Sequence, residues 1–444
     1  MTDGPGEDPQ ISSAPTVVKT PWGDASTLRD RKLRPGRRLP HEEVARNQRE
    51  RLFAALVAVV AEKGYEATRV ADLLELSGVS RSAFYEHFAD KEECLLAALG
   101  EFVAPATRSL VGEGADGVPS EERVREAFEG LIRMIVDQAP AARLCFVEIH
   151  AAGPRAVEQI DRTMDAFQAF VVETVKRMPN RENLPPEVVR AMMGGVRKVI
   201  HTRLYHDEEQ ELVELTPQLW DWVQSYRSPP APLRHPRIRP PRTFDRGAYE
   251  PAERILRALA SVVAEKGYPA MTVNDVASRA SISLSTFYSH FADKEEAMIA
   301  AVDSGSAQML ATTLPAFRRA SDWPHSVRGA FGAMLAFCAA EPEYTRLGAI
   351  EVYAAGRRVL EKRDEVITGM EMLLAPGYEL NPEVSPIAAE AIGGAIYSMI
   401  YEQVRKGSIE HLQEIAPLAT YMTLAPFIGA GEACAVANGD GRAR

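Results

Sequence analysis

Cysteine is scarce, with four among 444 residues. Cys94, Cys145, Cys338 and Cys434 form no CxxC pair, so the sequence offers neither a disulfide framework nor a zinc site, and the reading is buried free thiols in a reducing, cytoplasmic compartment. Long apolar runs are also missing. The longest, around Leu52–Ala61, is too short to span a bilayer, and no membrane role is expected. The acidic, Pro/Ser-rich start lacks the basic-then-apolar order of a secretory signal. No nucleophile–base pair, phosphate loop or metal-ligand spacing recurs, which speaks against an enzyme and predicts no cofactor and no metal. Positive charge is in deficit too, with a net −11 that by itself argues against a polyanion partner.

What is present is a repeat. Phe84-Tyr85-Glu86-His87-Phe88-Ala89-Asp90-Lys91-Glu92-Glu93 returns, with one change, as Phe287-Tyr288-Ser289-His290-Phe291-Ala292-Asp293-Lys294-Glu295-Glu296. The same offset links Ala61-Glu62-Lys63-Gly64-Tyr65 to Ala264-Glu265-Lys266-Gly267-Tyr268, and Glu148 to Glu351. Two copies this long are a duplicated domain rather than a solenoid. The charge is not uniform either. Residues 29–51 carry nine Arg/Lys against four acids, and residues 227–257 carry eight Arg against three acids. Each basic stretch lies just upstream of one copy of the motif.

The periodicity is that of helices throughout, and no segment alternates long enough to argue for a sheet, so the fold class is all-α. Residues 1–28 read as disordered, and 1–40 as a disordered tail with a basic arm. Helices are expected at 41–63, 70–76, 80–87 and from 90, then at about 121–138, 141–151, 155–178, 186–206 and 210–226. The second copy repeats the plan at 250–266, 273–279, 283–290 and from 293, then at 324–340, 342–355, 357–374, 384–406 and 408–427. The implied domains are 41–92, 93–226, 249–295 and 296–428, with 429–444 a flexible tail. Six prolines make 227–248 an extended linker able to span roughly 60–70 Å.

A short helix, a Gly-containing turn and a short Ser-capped helix form a helix-turn-helix plan, whose second helix enters the major groove of double-stranded DNA. Its outward positions are Arg81, Ser82, Ala83 and Glu86 in one copy, and Leu284, Ser285, Thr286 and Ser289 in the other. Asp90 and Asp293 cap the helices that follow, with Glu93 completing a capping box in the first copy. Tyr-x-His-Phe-x-x-Lys-Glu behind a Val-Ser or Ile-Ser cap resembles the DNA-binding domain of TetR-family transcriptional regulators over about 50 residues per copy. The resemblance implies phosphate contacts from Tyr85, His87, Lys91, Tyr288, His290 and Lys294. It also implies a helical ligand-sensing and dimerisation domain behind each reader.

The two copies depart from that pattern differently. Thr272 keeps the hydroxyl that opens the helix before the turn, whereas Arg69 replaces it in the first copy. Gly78 keeps the turn glycine, whereas the second copy has Ser281, at a cost of about 1 kcal/mol for a left-handed L-residue. Arg81 prefers guanine, while Leu284 suits a thymine methyl. The expected function is a DNA-binding regulator, a repressor, that pairs its two halves within one chain on a non-palindromic operator and is released by a small apolar effector. An activator, or a sensor whose second copy no longer reads DNA, are the alternatives, and further association of two chains stays open. Gly194-Gly195 and Gly393-Gly394 are placed at the intrachain interface. Phe128, Ile132, Met134, Phe146 and Phe167 line the candidate effector pocket of the first half. Trp323, Phe331, Met334, Phe337, Tyr353, Tyr397 and Tyr401 line that of the second, which is favoured for its tyrosine hydroxyls.

Overall fold

The computed structural model describes residues 18–33, 40–111, 121–179, 181–236, 238 and 250–440. Nineteen α-helices occur among them. In the first copy these are α1 (His41–Ala67), α2 (Val70–Ser77), α3 (Arg81–His87), α4 (Lys91–Val111), α5 (Glu121–Asp137), α6 (Ala139–Phe146), α7 (Pro154–Lys176), α8 (Pro186–Tyr205) and α9 (Glu211–Gln224). In the second they are α10 (Pro251–Lys266), α11 (Val273–Ala280), α12 (Leu284–His290), α13 (Lys294–Phe317), α14 (Trp323–Ala340), α15 (Pro342–Ala349), α16 (Arg357–Glu371), α17 (Ala375–Leu380), α18 (Ile387–Arg405) and α19 (Ala416–Asn438). The fold is all-α, and its one sheet among the described residues pairs β1 (Lys19–Thr20) with β2 (Gly23–Asp24). The chain forms two compact units, one of residues 1–105 and 137–148, the other of 106–136 and 149–444.

In the first unit the run Leu52–Val60 is buried along its whole length. Burying a stretch with no polar face requires cover on every side, and the chain's N-terminal segment supplies part of it. The disordered-tail expectation is corrected here for residues 18–33. The β1–β2 hairpin leads into a short 3-10 turn, Ala25–Thr27, and Leu28 becomes fully buried. Trp22 lies against Phe53 with ring centroids 5.1 Å apart, while Val18, Trp22 and Leu76 pack on Ala54, Ala55 and Ala58. The composition of residues 1–28 is polar, but these few apolar side chains have a matching apolar face to meet.

The arginines of this segment are also occupied. Arg29 Nε donates to Glu75 O at the end of α2 (2.9 Å), and Arg31 donates to Trp22 O and pairs with Glu50 at 3.5 Å. They serve as internal braces rather than as a free basic arm. Arg34, Arg37, Arg38, Arg237, Arg239, Arg242 and Arg246 of the two basic stretches lie outside the described residues, as do 1–17 and 441–444.

The second unit repeats the helix-turn-helix in α10–α12 and adds α7–α9 of the first copy and α13–α19 of the second. Three further expectations are corrected. The helix expected over 141–151 ends at Phe146, and Glu148–Ala152 form a 3-10 turn. The helix expected over 408–427 is a 3-10 stretch, Ile409–Ile415, followed by α19. The flexible tail expected from 429 is helical to Asn438. Gly429, with φ 78°, kinks α19 without ending it, and Ala433, Cys434, Val436 and Ala437 are buried beyond the kink.

Part of what buries them is the start of the linker. Tyr226 Oη donates to Met422 O (2.8 Å) and Tyr421 Oη to Arg227 O (2.6 Å). Cys434 Sγ donates to Ala231 O (3.3 Å), and Asn438 Nδ2 to Pro232 O (3.1 Å). Residues 226–234 are therefore an irregular stretch of chain laid on α19. Their proline content made them stiff, and stiffness suits docking as well as spanning.

Candidate nucleic-acid interface and effector cavity

In each copy the first helix of the reader breaks at a glycine, Gly64 (φ 77°) or Gly267 (φ 78°), a backbone conformation that glycine adopts without a Cβ penalty. The break leaves the next N–H without an intrahelical partner. A carboxylate takes it up in both: Glu148 Oε2 accepts from Tyr65 N (2.9 Å), and Glu351 Oε2 from Tyr268 N (3.0 Å). The repeat match of Glu148 with Glu351 was the sequence signal for this bond, but spacing alone gave no clue to its acceptor role.

The two turns are both left-handed. Gly78 has φ 65°, and Ser281 has φ 54° despite its side chain. Thr272 caps α11 in a full capping box with Asp275, its Oγ1 accepting from Asp275 N at 3.2 Å. Arg69 has no acceptor to offer, so only Asp72 Oδ2 taking Arg69 N (2.7 Å) remains. Ser80 and Ser283 then cap α3 and α12 through Ala83 N (3.2 Å) and Thr286 N (3.0 Å).

On α3, Arg81, Ser82, Tyr85 and Glu86 are exposed, with the Arg81 guanidinium 5.8 Å from the Tyr85 ring centroid. Ala83 is buried, which corrects its outward placement: it precedes Phe84 on the stripe that faces the core. On α12, Leu284, Ser285, Tyr288, Ser289 and His290 are exposed. Thr286 is half-buried, its hydroxyl bonded to Ser283 Oγ at 2.9 Å. Exposed Tyr85 and Tyr288 are among the few large apolar side chains left in solvent, as is Leu284.

His87 and His290 are not alike. His87 Nε2 is hydrogen-bonded to Gln48 Oε1 (2.8 Å), and burial, helped by Arg49, holds its pKa below the usual imidazole range. Lys91 turns inward: its Nζ donates to Tyr65 O (2.8 Å) and Thr68 O (2.9 Å) and lies 4.2 Å from the Tyr65 ring centroid. It braces the broken end of α1. Lys294 sits over Tyr268 at 4.5 Å. Behind them Asp90 and Asp293 cap α4 and α13 through Glu93 N and Glu296 N, both 2.8 Å. Glu93 and Glu296 reach back to Ala89 N and Ala292 N, one residue earlier than a standard capping box.

Behind the second reader lies a cavity of about 200 Å³ between α13, α14, α15, α16 and α18. Phe331, Met334, Phe337 and Tyr397 line it. Tyr353 and Tyr401 do not, which corrects their assignment. Tyr353 Oη accepts from Arg363 Nη1 (3.1 Å) while its ring stacks on His150 at 3.9 Å, and Tyr401 Oη donates to Asp161 Oδ2 (3.2 Å). Both are drawn to side chains of the first copy, which one-copy periodicity cannot foresee. Trp323 is outside the lining too, its indole donating to Leu373 O at 2.9 Å. Phe128, Ile132 and Phe146 are not part of this cavity. Phe128 packs on Trp220 at 5.8 Å, and Ile132 is fully buried.

The lining carries two charged side chains, Arg363 and Glu371. Arg363 lies beside the T-shaped pair of Tyr353 and Tyr397, 4.9 and 4.8 Å from their ring centroids, with its Nε 2.7 Å from Asp364 Oδ1. Burial, then the neighbouring Glu390, pushes Glu371 up to about 7. Tyr397 Oη donates to Ala349 O (2.8 Å) at the end of α15, the helix that leads directly into Glu351. The cavity wall and the Glu351–Tyr268 bond thus share one short segment.

Helices α8 and α18, equivalent in the two copies, pack on one another. A Cβ on Gly194 would meet Ser398 Cβ at 2.4 Å, one on Gly195 would meet Ala391 O at 2.4 Å, and one on Gly394 would meet Lys198 Cβ at 2.3 Å. Gly393 is the exception, turned toward Ile367 and the cavity. Ion pairs flank the crossing: Lys198–Asp364 (3.1 Å), Arg203–Glu390 (3.1 Å) and Arg405–Asp165 (3.1 Å). His150 and His201 also lie here, and burial, followed by the charges of Arg197 and Arg363, holds both well below the ordinary imidazole pKa.

Comparison with known proteins agrees with this geometry. The family model for bacterial regulatory proteins of the tetR family matches residues 52–98 and again 255–301. The HTH-type transcriptional regulator CymR of Pseudomonas putida is 30% identical over 141 residues, which cover 32% of this chain and 68% of CymR. The HTH-type transcriptional activator FasR of Mycolicibacterium smegmatis is 26% identical over 144 residues, 32% of this chain and 64% of FasR, so the chain spans just under two thirds of that relative. Among solved structures, the fatty acid degradation regulator FadR from Bacillus halodurans is 20% identical, covers 41% of this chain and 97% of its own, and has a TM-score of 0.37. Among the described residues no helix is long and apolar enough to cross a membrane. With the family's helix-turn-helix present twice and a relative of that identity and coverage, the chain belongs to the tetR family of bacterial regulatory proteins.

Proposed function

We propose that this chain is a sequence-specific DNA-binding regulator that grips two dissimilar half-sites with one polypeptide. The observation that carries the reading is the contrast between the two exposed recognition faces. What is shared on the exposed faces, Tyr85 and Tyr288, is suited to backbone contact, which positions without reading sequence. What differs, Arg81 against Leu284 and Glu86 against Ser289, is suited to base edges. Arg81 favours guanine at its half-site, and Leu284 an apolar contact with a thymine methyl. In two-fold dimers the readers are identical, so their operators are palindromic. The tight α8–α18 crossing supports a pairing of halves inside one chain, and so an operator without that symmetry.

The cavity behind the second reader supports an effector site. An effector that fits one shape of α15 better than another would shift the reader it adjoins, by no more than its difference in affinity for the two shapes. Release from DNA makes the protein a repressor. The printed description of the M. smegmatis relative as an activator supports the opposite sign, which a promoter fusion with and without the regulator decides.

The direct test is selection of bound DNA from a random pool, with the molar mass of the complex measured in parallel. Two unlike half-sites bound by one chain are expected. A clean palindrome bound by two chains, with α12 substitutions silent, would overturn the reading and favour a second copy that no longer reads DNA.

A further inference from the structure

We propose that the cavity of the second half receives an apolar molecule carrying one cationic amine, and that the amine is met by Glu371. The inference rests on the effector-site reading above and adds the chemistry of the ligand. The wall is almost wholly hydrocarbon: Val302, Met309, Phe331, Met334, Ile392 and Ile396 are typical of it. A ligand must therefore shed its own polar surface, apart from any group that a wall residue can satisfy.

Two charged side chains reach that wall, and they differ in what they have left to offer. Arg363 is engaged by Asp364 Oδ1 at 2.7 Å and by Tyr353 Oη at 3.1 Å, and its guanidinium lies 4.9 and 4.8 Å from the ring centroids of Tyr353 and Tyr397. The charges around Glu371 are matched with one another. Lys198 pairs with Asp364 on α16, and Glu390 on α18 pairs with Arg203. Glu371 has no hydrogen bond and no ion pair among the described residues. A half-buried carboxylate without a partner is costly in its charged form, and a cation placed beside it removes that cost. A ligand carboxylate would instead meet the like charge of Glu371 on the wall, with its natural partner Arg363 already bound.

The end of α16 also suits the role. Glu371 is its last residue, and its Oε1 lies 3.4 Å from where a Cβ on Gly393 would stand. The missing side chain at Gly393 thus leaves the carboxylate a clear edge on the cavity.

The test compares decylamine, 1-decanol and decanoate, the two ions below their micelle concentrations and the alcohol below its solubility limit, by calorimetric titration of the full-length protein at pH 8. Decylamine should bind about one per chain and at least tenfold more tightly than decanol, with decanoate weakest. Glu371→Gln keeps the shape of the side chain and should reduce decylamine to the level of decanol. Equal binding of amine and alcohol to the wild-type protein, or tightest binding of decanoate, would overturn the assignment of Glu371 while leaving the cavity as an effector site. No binding of any of the three would overturn the effector-site reading as well. The wild-type ranking decides the matter even where the variant folds poorly.

Discussion

The carboxylate of Glu351 accepts the backbone N–H of Tyr268 at 3.0 Å, at the glycine where α10 breaks. Glu148 holds Tyr65 in the same way at 2.9 Å. One carboxylate in each copy therefore fastens the segment after α6 or α15 to the start of the helix-turn-helix. Glu351 is itself buried and paired with Arg346 at 3.4 Å. Replacing it by Ala should strand the Tyr268 N–H and cost about 1–3 kcal/mol. Gln, which keeps an acceptor oxygen, should restore most of that. Amide exchange at Tyr268 is the readout: faster in Glu351→Ala, near wild type in Glu351→Gln. Unchanged exchange in both would mean that the bond does not hold the joint.

The N-terminal segment should be part of the first reader's fold. Leu28→Ala removes a fully buried side chain and should cost about 2–5 kcal/mol in the first unit. Limited proteolysis followed by mass spectrometry should find new cuts in residues 41–90 and none in 251–295. The second copy does not need such cover. Ala54, Ala58 and Leu76 of the first copy correspond to Arg257, Ser261 and Arg279, and Arg279 donates to Ser261 Oγ at 2.7 Å. Equal proteolysis of both copies would contradict this.

At the α8–α18 crossing the four glycines should not respond alike. Gly195→Val would press against the Ala391 carbonyl and Trp222, and backbone cannot yield as a side chain can. Overpacking of this kind costs about 1–3 kcal/mol or more. Gly393→Ala meets side chains alone, Ile367 Cγ2 at 3.1 Å and Glu371 Oε1 at 3.4 Å, and should cost much less. Thermal unfolding of the two variants side by side checks the order, and a reversed order would refute the packing argument.

The pH dependence has two opposing parts. His150 and His201 sit below their ordinary 6.5 in the folded chain, so the unfolded chain binds more protons. Their contribution is full above pH 6.5 and is lost as pH falls below it. Glu371 sits above its ordinary 4.5, at about 7, so the folded chain binds the extra proton. Its contribution is full below pH 4.5 and is lost as pH rises toward and through 7. Glu371→Gln should therefore gain on the wild type between pH 5 and pH 8, by about 1–2 kcal/mol once solvent screening is allowed for. His150→Phe, which keeps the stack on Tyr353, should flatten the acid side. Parallel melting curves of variant and wild type across this range would contradict both assignments.

On DNA, Arg81→Ala should relax base preference at one half-site by about 1–3 kcal/mol and leave the other unchanged. Leu284→Ala should act on the second alone. Tyr85→Phe and Tyr288→Phe should weaken binding to all sequences alike. Binding measured on single-base operator variants separates the two behaviours. A loss spread evenly over both half-sites in Arg81→Ala would show that Arg81 holds backbone.

The readers were legible because their signals are local. Ser80 and Ser283 as caps, Gly78 and Ser281 as left-handed turns, and the aromatic spacing of Phe84, Phe88, Phe287 and Phe291 are each decided within a few residues. Ala83 was misplaced because a seven-residue helix has too few turns to define its inner stripe from sequence. The distant contacts were out of reach for another reason. Tyr353 and Tyr401 look like pocket tyrosines until His150 and Asp161 arrive from the other copy. Likewise Leu28, Tyr226 and Cys434 find their partners through chain return, which periodicity does not encode. Glu371 had no sequence signal at all, since an acid on an amphipathic helix ordinarily faces water.

The docking of residues 226–234 on α19 has a consequence for how the duplicated chain can be divided. The repeat read from the sequence has an offset of 203 residues, but the bonds of α19 reach across its boundary. Tyr421, Cys434 and Asn438 close their bonds on residues that, by repeat counting, belong to the first copy's end. A gene cut at the repeat boundary would leave a bare helix on one product and a dangling thread on the other. The ancestral halves have become a single inheritance: neither can now be lost, swapped or shuffled without taking a strip of its neighbour along.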